Sequence, residues 1–147
     1  MARPYRLALA EVTVSGGDNV YCWSFEALTC DATSGTQTLC CDMRLDKVEF
    51  LINGDCIQSI YNGNVNGKGI SPSYTTYDRA GATYTTAKLR LNVALSDAPS
   101  SKLCFTLRRG ICASLQDLCA GPDCLYTVAE DPGAGATCCP LESGKWW

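Results

Sequence analysis

Lys88-Leu89-Arg90-Leu91-Asn92-Val93-Ala94-Leu95 alternates strictly between large apolar residues and polar or small ones. A period of two sets the four large apolar side chains on one face of an extended chain, whereas a helix would scatter them around its axis. The pattern recurs on both sides of this stretch. Val48, Phe50 and Ile52 share one phase, as do Leu103, Phe105 and Leu107, and Tyr21, Trp23 and Phe25. Each set puts one face on a core and the other toward solvent or a disulfide. Leu7 and Leu9 fall in one phase and Val12 and Val14 in the other. Either one strand carries a β-bulge near Ala10 or Glu11, or two short strands meet there.

The punctuation agrees with a β-rich chain. Ser15-Gly16-Gly17-Asp18-Asn19 and Asn62-Gly63-Asn64-Val65-Asn66-Gly67-Lys68-Gly69 are rich in residues that tolerate positive φ and read as turns. Asn53-Gly54, between Val48–Ile52 and Ile57–Tyr61, predicts a tight hairpin. Ser71 to Thr86, full of Tyr and Thr, reads as an edge strand or an extended loop. One short helix is expected near residues 114–120: Ser114-Leu115-Gln116-Asp117 resembles a capping box, and Gly121-Pro122 stops it. The predicted fold class is all-β, sandwich-like and disulfide-rich, in a single domain over residues 1–147 with residues 142–147 as a flexible tail. A chain of 147 residues buries roughly 70% of its unfolded surface, enough for one core.

Composition excludes several functions. The net charge is −3 and the longest basic run is Arg108-Arg109, so no nucleic-acid partner is expected. No apolar run approaches the ~20 residues that span a bilayer, so no membrane insertion is expected. Histidine is absent, which removes His-based triads and His metal ligands. Without it, an enzyme would need a carboxylate pair or a Ser–Lys arrangement, and no motif organises the scattered Asp and Glu. Catalytic residues and cofactors are therefore expected to be none. No EF-hand spacing organises Asp42, Asp46 or Asp55, so no metal is expected either. Met1 to Arg6 has no apolar core, and any secretion signal is expected to have been removed.

The eleven cysteines are Cys22, Cys30, Cys40, Cys41, Cys56, Cys104, Cys112, Cys119, Cys124, Cys138 and Cys139. None forms a C-x-x-C knuckle, the usual unit of zinc and redox sites, so the spacing points to disulfides in an oxidising, secreted setting. Adjacent Cα atoms lie ~3.8 Å apart, closer than the usual ~4.4–6.8 Å disulfide range, so Cys40-Cys41 and Cys138-Cys139 should each reach two different partners. Short-range closure predicts that Cys104 to Cys139 pair largely among themselves and Cys22 to Cys56 likewise. Eleven is odd, so one cysteine is left unpaired or bonds another molecule, and this grouping puts it in the N-terminal set.

An ordered set of motifs runs along the chain: Pro4-Tyr5-Arg6-Leu7, Tyr21-Cys22, Cys30, Cys40-Cys41, Leu45-Asp46-Lys47-Val48-Glu49-Phe50, Cys56, Leu103-Cys104-Phe105-Thr106-Leu107, Cys112-Ala113-Ser114-Leu115-Gln116-Asp117-Leu118-Cys119, Cys124 and Cys138-Cys139-Pro140. Over roughly residues 4 to 141 the chain resembles the pherophorin domain of volvocine green algae. The resemblance implies a secreted glycoprotein of the extracellular matrix or cell wall, whose globular domains flank a hydroxyproline-rich rod. It also implies matrix glycoproteins or polysaccharides as partners. Two cysteines usual before the Pro-Tyr-Arg-Leu segment are absent. So is one near the terminal doublet, where Gly135-Ala136-Thr137 stands, and a lost cysteine leaves its former partner as a spare thiol. Lys145-Trp146-Trp147 matches no family motif.

The leading functional expectation is a structural or interaction module without chemistry of its own, able to self-associate through its spare cysteine. The alternative is a carbohydrate-binding module, since aromatic faces stack on sugar rings and Asn and Asp bond their hydroxyls. Its candidate residues are Trp23, Asn62, Asn64, Asn66, Tyr74, Tyr77 and Asp78, each of which reads equally as core, turn or edge strand. A diffusible sexual signal is the further reading that the resemblance allows.

Overall fold

The computed structural model describes residues 5–27, 45–93, 95–129 and 141–147. Among these residues ten strands form two five-stranded antiparallel sheets. They are β1 (Tyr5–Ser15), β2 (Asp18–Ala27), β3 (Leu45–Ile52), β4 (Ile60–Val65), β5 (Lys68–Ile70), β6 (Ser73–Arg79), β7 (Ala82–Val93), β8 (Lys102–Leu107), β9 (Cys124–Ala129) and β10 (Leu141–Gly144). The first sheet runs β1-β2-β8-β4-β5 and the second β10-β9-β3-β7-β6. The only α-helix among the described residues is the single turn α1 (Leu115–Leu118), so no described helix is long and apolar enough to cross a membrane. The predicted all-β sandwich is the observed architecture.

The inner faces are the ones the alternation marks. Val48, Phe50, Ile52, Leu89 and Leu91 on the second sheet face Tyr21, Trp23, Phe25, Leu103, Phe105 and Leu107 on the first, all buried. Trp23 is fully buried, with its ring centroid 4.8 Å from that of Phe105 and 5.8 Å from that of Phe50 across the sheets. At one side the Tyr126 hydroxyl of β9 accepts a 2.8 Å hydrogen bond from the Leu7 N–H of β1 and so joins the two sheets.

Between the two readings of the first segment, the bulge is the correct one. The register against β2 shifts between Leu9 and Glu11, and β1 continues unbroken. The inserted residue reverses the phase, so Val12, opposite Tyr21, stays on the same inner face as Leu9, opposite Trp23.

Hairpin turns fall at Gly16-Gly17, Asn66-Gly67 and Ala80-Gly81, each with φ positive at both central residues, between 54° and 88°. These are the mirror-image turns whose twist matches paired strands. The Asn62 to Gly69 stretch is therefore mostly strand. Its first half forms β4 with a bulge at Asn62-Gly63, where a side chain on Gly63 would come within 2.8 Å of the Ile70 carbonyl oxygen. Ser71 to Thr86 resolves into the edge strand β6, the turn at Ala80-Gly81 and the start of β7.

The expected hairpin at Asn53-Gly54 is not formed. β3 lies in the second sheet and β4 in the first, so this link crosses between sheets through a 3-10 turn, Gly54–Cys56. Asn53 is extended (φ −66°, ψ 136°), which a mirror-image turn forbids. Its amide instead donates to the Asp117 and Cys119 carbonyls at 2.7 and 3.2 Å. Half of the capping box is present: Ser114 Oγ accepts from the Asp117 N–H at 3.2 Å, while Asp117 Oδ2 accepts from the Ser114 hydroxyl at 2.9 Å, and helix α1 lasts only that turn.

The described disulfides are Cys22–Cys104, Cys56–Cys112 and Cys119–Cys124. Two of them join the N-terminal and C-terminal groups of cysteines, which overturns the expectation that each group closes on itself. The reason is strand order: β8 lies between β2 and β4, so Cys104 sits directly opposite Cys22 despite 82 residues of separation. Cys30, Cys40, Cys41, Cys138 and Cys139 lie outside the described residues. The tail is not a loose end either. β10 pairs with β9, and Trp146 packs on Trp23 and Tyr126 with ring centroids 5.5 and 5.6 Å away.

Loop closure ranks the staples. Replacing Cys56 and Cys112 together by Ser is expected to cost ~4 kcal/mol of unfolding stability, and replacing Cys119 and Cys124 ~2 kcal/mol, in the chain-entropy account. The sequence separations behind this ranking are 56 and 5 residues. Urea denaturation without reductant measures both; equal losses would show that loop length does not govern the staples.

Candidate functional site

On β7, Thr85, Ala87, Leu89, Leu91 and Val93 are buried, so Tyr84, Thr86 and Lys88 point outward from the second sheet. The register pairs Tyr84 with Tyr77 directly across the β6–β7 hairpin. Both side chains therefore project from the outer face, 42% and 46% exposed. Around them Glu49, Thr76, Asp78 and Arg79 complete an open cleft of about 590 Å³. Thr83 Oγ1 donates a 2.8 Å hydrogen bond to Asp78 Oδ1. A second depression of about 260 Å³ continues along the same face, lined by Leu51, Thr86, Leu125 and Thr127, and Glu49 borders both. The outer face thus offers two exposed phenol rings, a short apolar track, the Glu49 carboxylate and the Arg79 guanidinium, and Thr76 and Asp78 border the cleft from the other side of the β6 edge. That set suits a ligand with alternating apolar C–H faces and hydroxyl edges.

Of the seven predicted ligand residues, the structure brings only Tyr77 and Asp78 together. Trp23 is fully buried in the core and presents no face to a ligand. Tyr74 lies opposite Ala87, on the inner face, and packs against the core; burial pushes its phenol pKa up. Asn62, Asn64 and Asn66 belong to the first sheet and its β4–β5 turn. Asn66 is occupied: its amide donates to Ser101 Oγ at 3.1 Å, and its oxygen accepts from the Lys102 N–H at 2.8 Å. Asn64 Oδ1 accepts from Gly67 N–H across the turn at 3.3 Å. Tyr84, Arg79 and Glu49 were missed. Tyr84 was findable once the turn was placed at Ala80-Gly81, because counting outward from that turn sets it opposite Tyr77.

The acidic residues weighed for calcium do not meet. Asp46 is buried in β3, Asp55 lies in the 3-10 turn, and Asp42 falls outside the described residues. Among the described residues no group of three or more Cys, Asp or Glu could hold a metal ion.

Arg108 and Arg109 are bound up in a surface network. Arg108 lies over the Tyr61 ring, 4.4 Å from its centroid, and the Tyr61 hydroxyl donates to Asp18 Oδ2. Arg109 adds its backbone N–H at 3.1 Å and its Nε at 3.2 Å to Asp18 Oδ1. The Tyr61 hydrogen bond first, then the Arg109 contacts, hold the Asp18 carboxyl below the usual carboxylate range. The same bond raises the Tyr61 phenol.

These features define a disulfide-stapled β-sandwich module with an aromatic contact face and no described metal nest. The sequence profile of the pherophorin family matches residues 1–140, and the chain belongs to that family. It is similar to sulfated surface glycoprotein 185 of Volvox carteri, at 31% identity over 146 residues. The alignment covers 93% of this chain and 29% of that protein, so the chain spans under a third of its relative's length. No solved structure matches.

Acid separates the Asp18 network from the rest. A carboxyl with a lowered folded pKa contributes stability that is complete above its unfolded value of ~3.9 and is lost as the pH falls below it. Asp18→Asn is therefore expected to lose less in urea midpoint between pH 5 and pH 2.5 than the unaltered chain does. Parallel acid limbs for the two would show that Asp18 does not contribute.

Proposed function

We propose that this chain is a globular module of an extracellular-matrix or cell-wall glycoprotein, a rigid node that holds neighbouring matrix components and transforms none of them. Family membership and the surface-glycoprotein relative support the setting. The ligand class is carbohydrate, and its site is the Tyr77–Tyr84 face. The observation that carries this is the in-register tyrosine pair, exposed on the outer face of the second sheet with Glu49 and Arg79 in the same cleft. A ring stacked on each phenol and hydroxyls bonded at the flanking charges would be held in one orientation. Polysaccharides and the glycans of other matrix glycoproteins are thus the partners. The odd cysteine supplies a separate, covalent route to self-association. Six of the eleven cysteines are bonded in pairs, and the five that remain cannot all pair within one chain. No observation favours a diffusible signal over the matrix role.

The test is affinity electrophoresis and calorimetry against soluble polysaccharide fractions of volvocine matrix and cell wall. Tyr77→Ala and Tyr84→Ala are each expected to weaken binding about 10-fold, the scale of one lost aromatic contact, without shifting the melting temperature. Binding that both variants retain would move the site elsewhere; no binding by the unaltered chain at millimolar sugar would remove the carbohydrate reading.

A further inference from the structure

Four strand edges end the two sheets: β1 and β5 on the first, β10 and β6 on the second. Three are blunted. β5 has three residues and includes Lys68, β10 has four and includes Glu142, and β6 ends on Asp78-Arg79. Short length and charge are the usual protections against unwanted pairing. β1 is different. It is 11 residues long, and everything from Ala10 to Ser15, past the bulge, is exposed. Val12-Thr13-Val14-Ser15 carries neither charge nor proline. The bulge keeps Val12 and Val14 on the inner face of the sheet, yet they remain 52% and 67% exposed.

We infer that the distal half of β1 is a docking edge for a second copy of this chain. The sequence is self-complementary about Thr13. In an antiparallel pairing, Val12 meets the second copy's Val14, Thr13 meets its own counterpart, and Glu11 meets the second copy's Ser15. No like charges face each other, and Glu11 is already neutralised by Lys102 Nζ at 2.8 Å. The two inward-facing valine pairs come together on one side, and two five-stranded sheets become one of ten strands. Because the pairing joins the same edge of both copies, it closes at a dimer with twofold symmetry and does not run on into a fibre. The edge is much smaller than the ~1,200 Å² of a stable interface, so the dimer is weak, with a Kd on the order of 100 μM.

Sedimentation equilibrium on the whole chain tests this, from ~10 μM to ~1 mM, with free thiols blocked by iodoacetamide so that no disulfide dimer forms. The unaltered chain is expected to show a monomer–dimer equilibrium. Val14→Lys is expected to weaken it at least ~10-fold, since two cations then sit within one pairing. Its melting temperature should match the unaltered chain's, because Val14 is exposed. Hydrogen exchange guards against a misfolded variant: in the unaltered chain, amide protection over residues 12–15 should rise with protein concentration. A chain that stays monomeric with concentration-independent exchange overturns the proposal. So does a dimer of the same affinity in Val14→Lys, which would put the contact on another surface.

Discussion

Trp23 is held between two sheets that pair no described strand with each other, and its contacts hold them in one relative position. Phe105 flanks it on its own sheet, Phe50 crosses from the other, and Trp146 closes over it from the C-terminal segment. Sheets packed face to face are held by side chains alone, so a large ring reaching across the gap sets both spacing and angle. Phe50 in turn touches Tyr126, whose hydroxyl binds the backbone of β1. The aromatic layer therefore runs from the middle of the first sheet through the second and back to the first sheet's edge. The residue weighed in sequence as a ligand platform is the one whose burial makes any platform possible.

The disulfides act where that layer does not reach. Cys56–Cys112 fastens the 3-10 crossover to the segment leading into α1, and Cys119–Cys124 fastens the end of α1 to the start of β9. Asn53 lies among these bonds and hydrogen-bonds the same segment with its side chain. One end of the sandwich is therefore covalently closed. Its crossover links are irregular backbone that strand pairing alone would leave free to open. Cys22–Cys104 works differently. It joins two strands already paired in register on the outer face, so it secures β2 to β8 at the centre of the first sheet. A body fixed in this way can present a side chain on an outer face with little loss of freedom on binding, which is what a weak contact needs.

Local pattern carried the strands, and only long-range order was hidden. Alternation over residues 88 to 93 announced the end of β7, although Leu95, in the same phase, begins the 3-10 turn Leu95–Ser100 instead, and the phase defect near Ala10 narrowed β1 to a bulge or two short strands, because both depend on alternation within one strand. Asn53-Gly54 misled because a two-residue turn motif says nothing about whether the flanking strands share a sheet, and here they do not. The cysteine grouping failed for the same reason. β8 follows β2 by more than 70 residues yet lies beside it, so proximity along the chain was a poor guide to Cys22 and Cys104. The contact face was half legible. Tyr77 and Asp78 stood in a visibly aromatic, threonine-rich stretch. Tyr84 belonged to the face only through a register centred on Ala80-Gly81, and alanine is not a residue that advertises positive φ.

The two proposed contacts lie on different parts of the body, and that separation has a consequence. The tyrosine pair sits on the outer face of the second sheet, beside its β6 edge, while the free edge of β1 belongs to the first sheet. Neither occludes the other, so a copy bound along β1 leaves both sugar faces open. In such a dimer the two proposed sugar-binding faces would stand in fixed relation. When both reach one polysaccharide, the second binding event is governed by effective concentration, and avidity exceeds single-site affinity by ~10²–10⁴. Two individually weak contacts of this kind allow a network to form and rearrange while it is dilute. They hold once many modules are joined, the behaviour expected of a matrix that must be secreted before it sets.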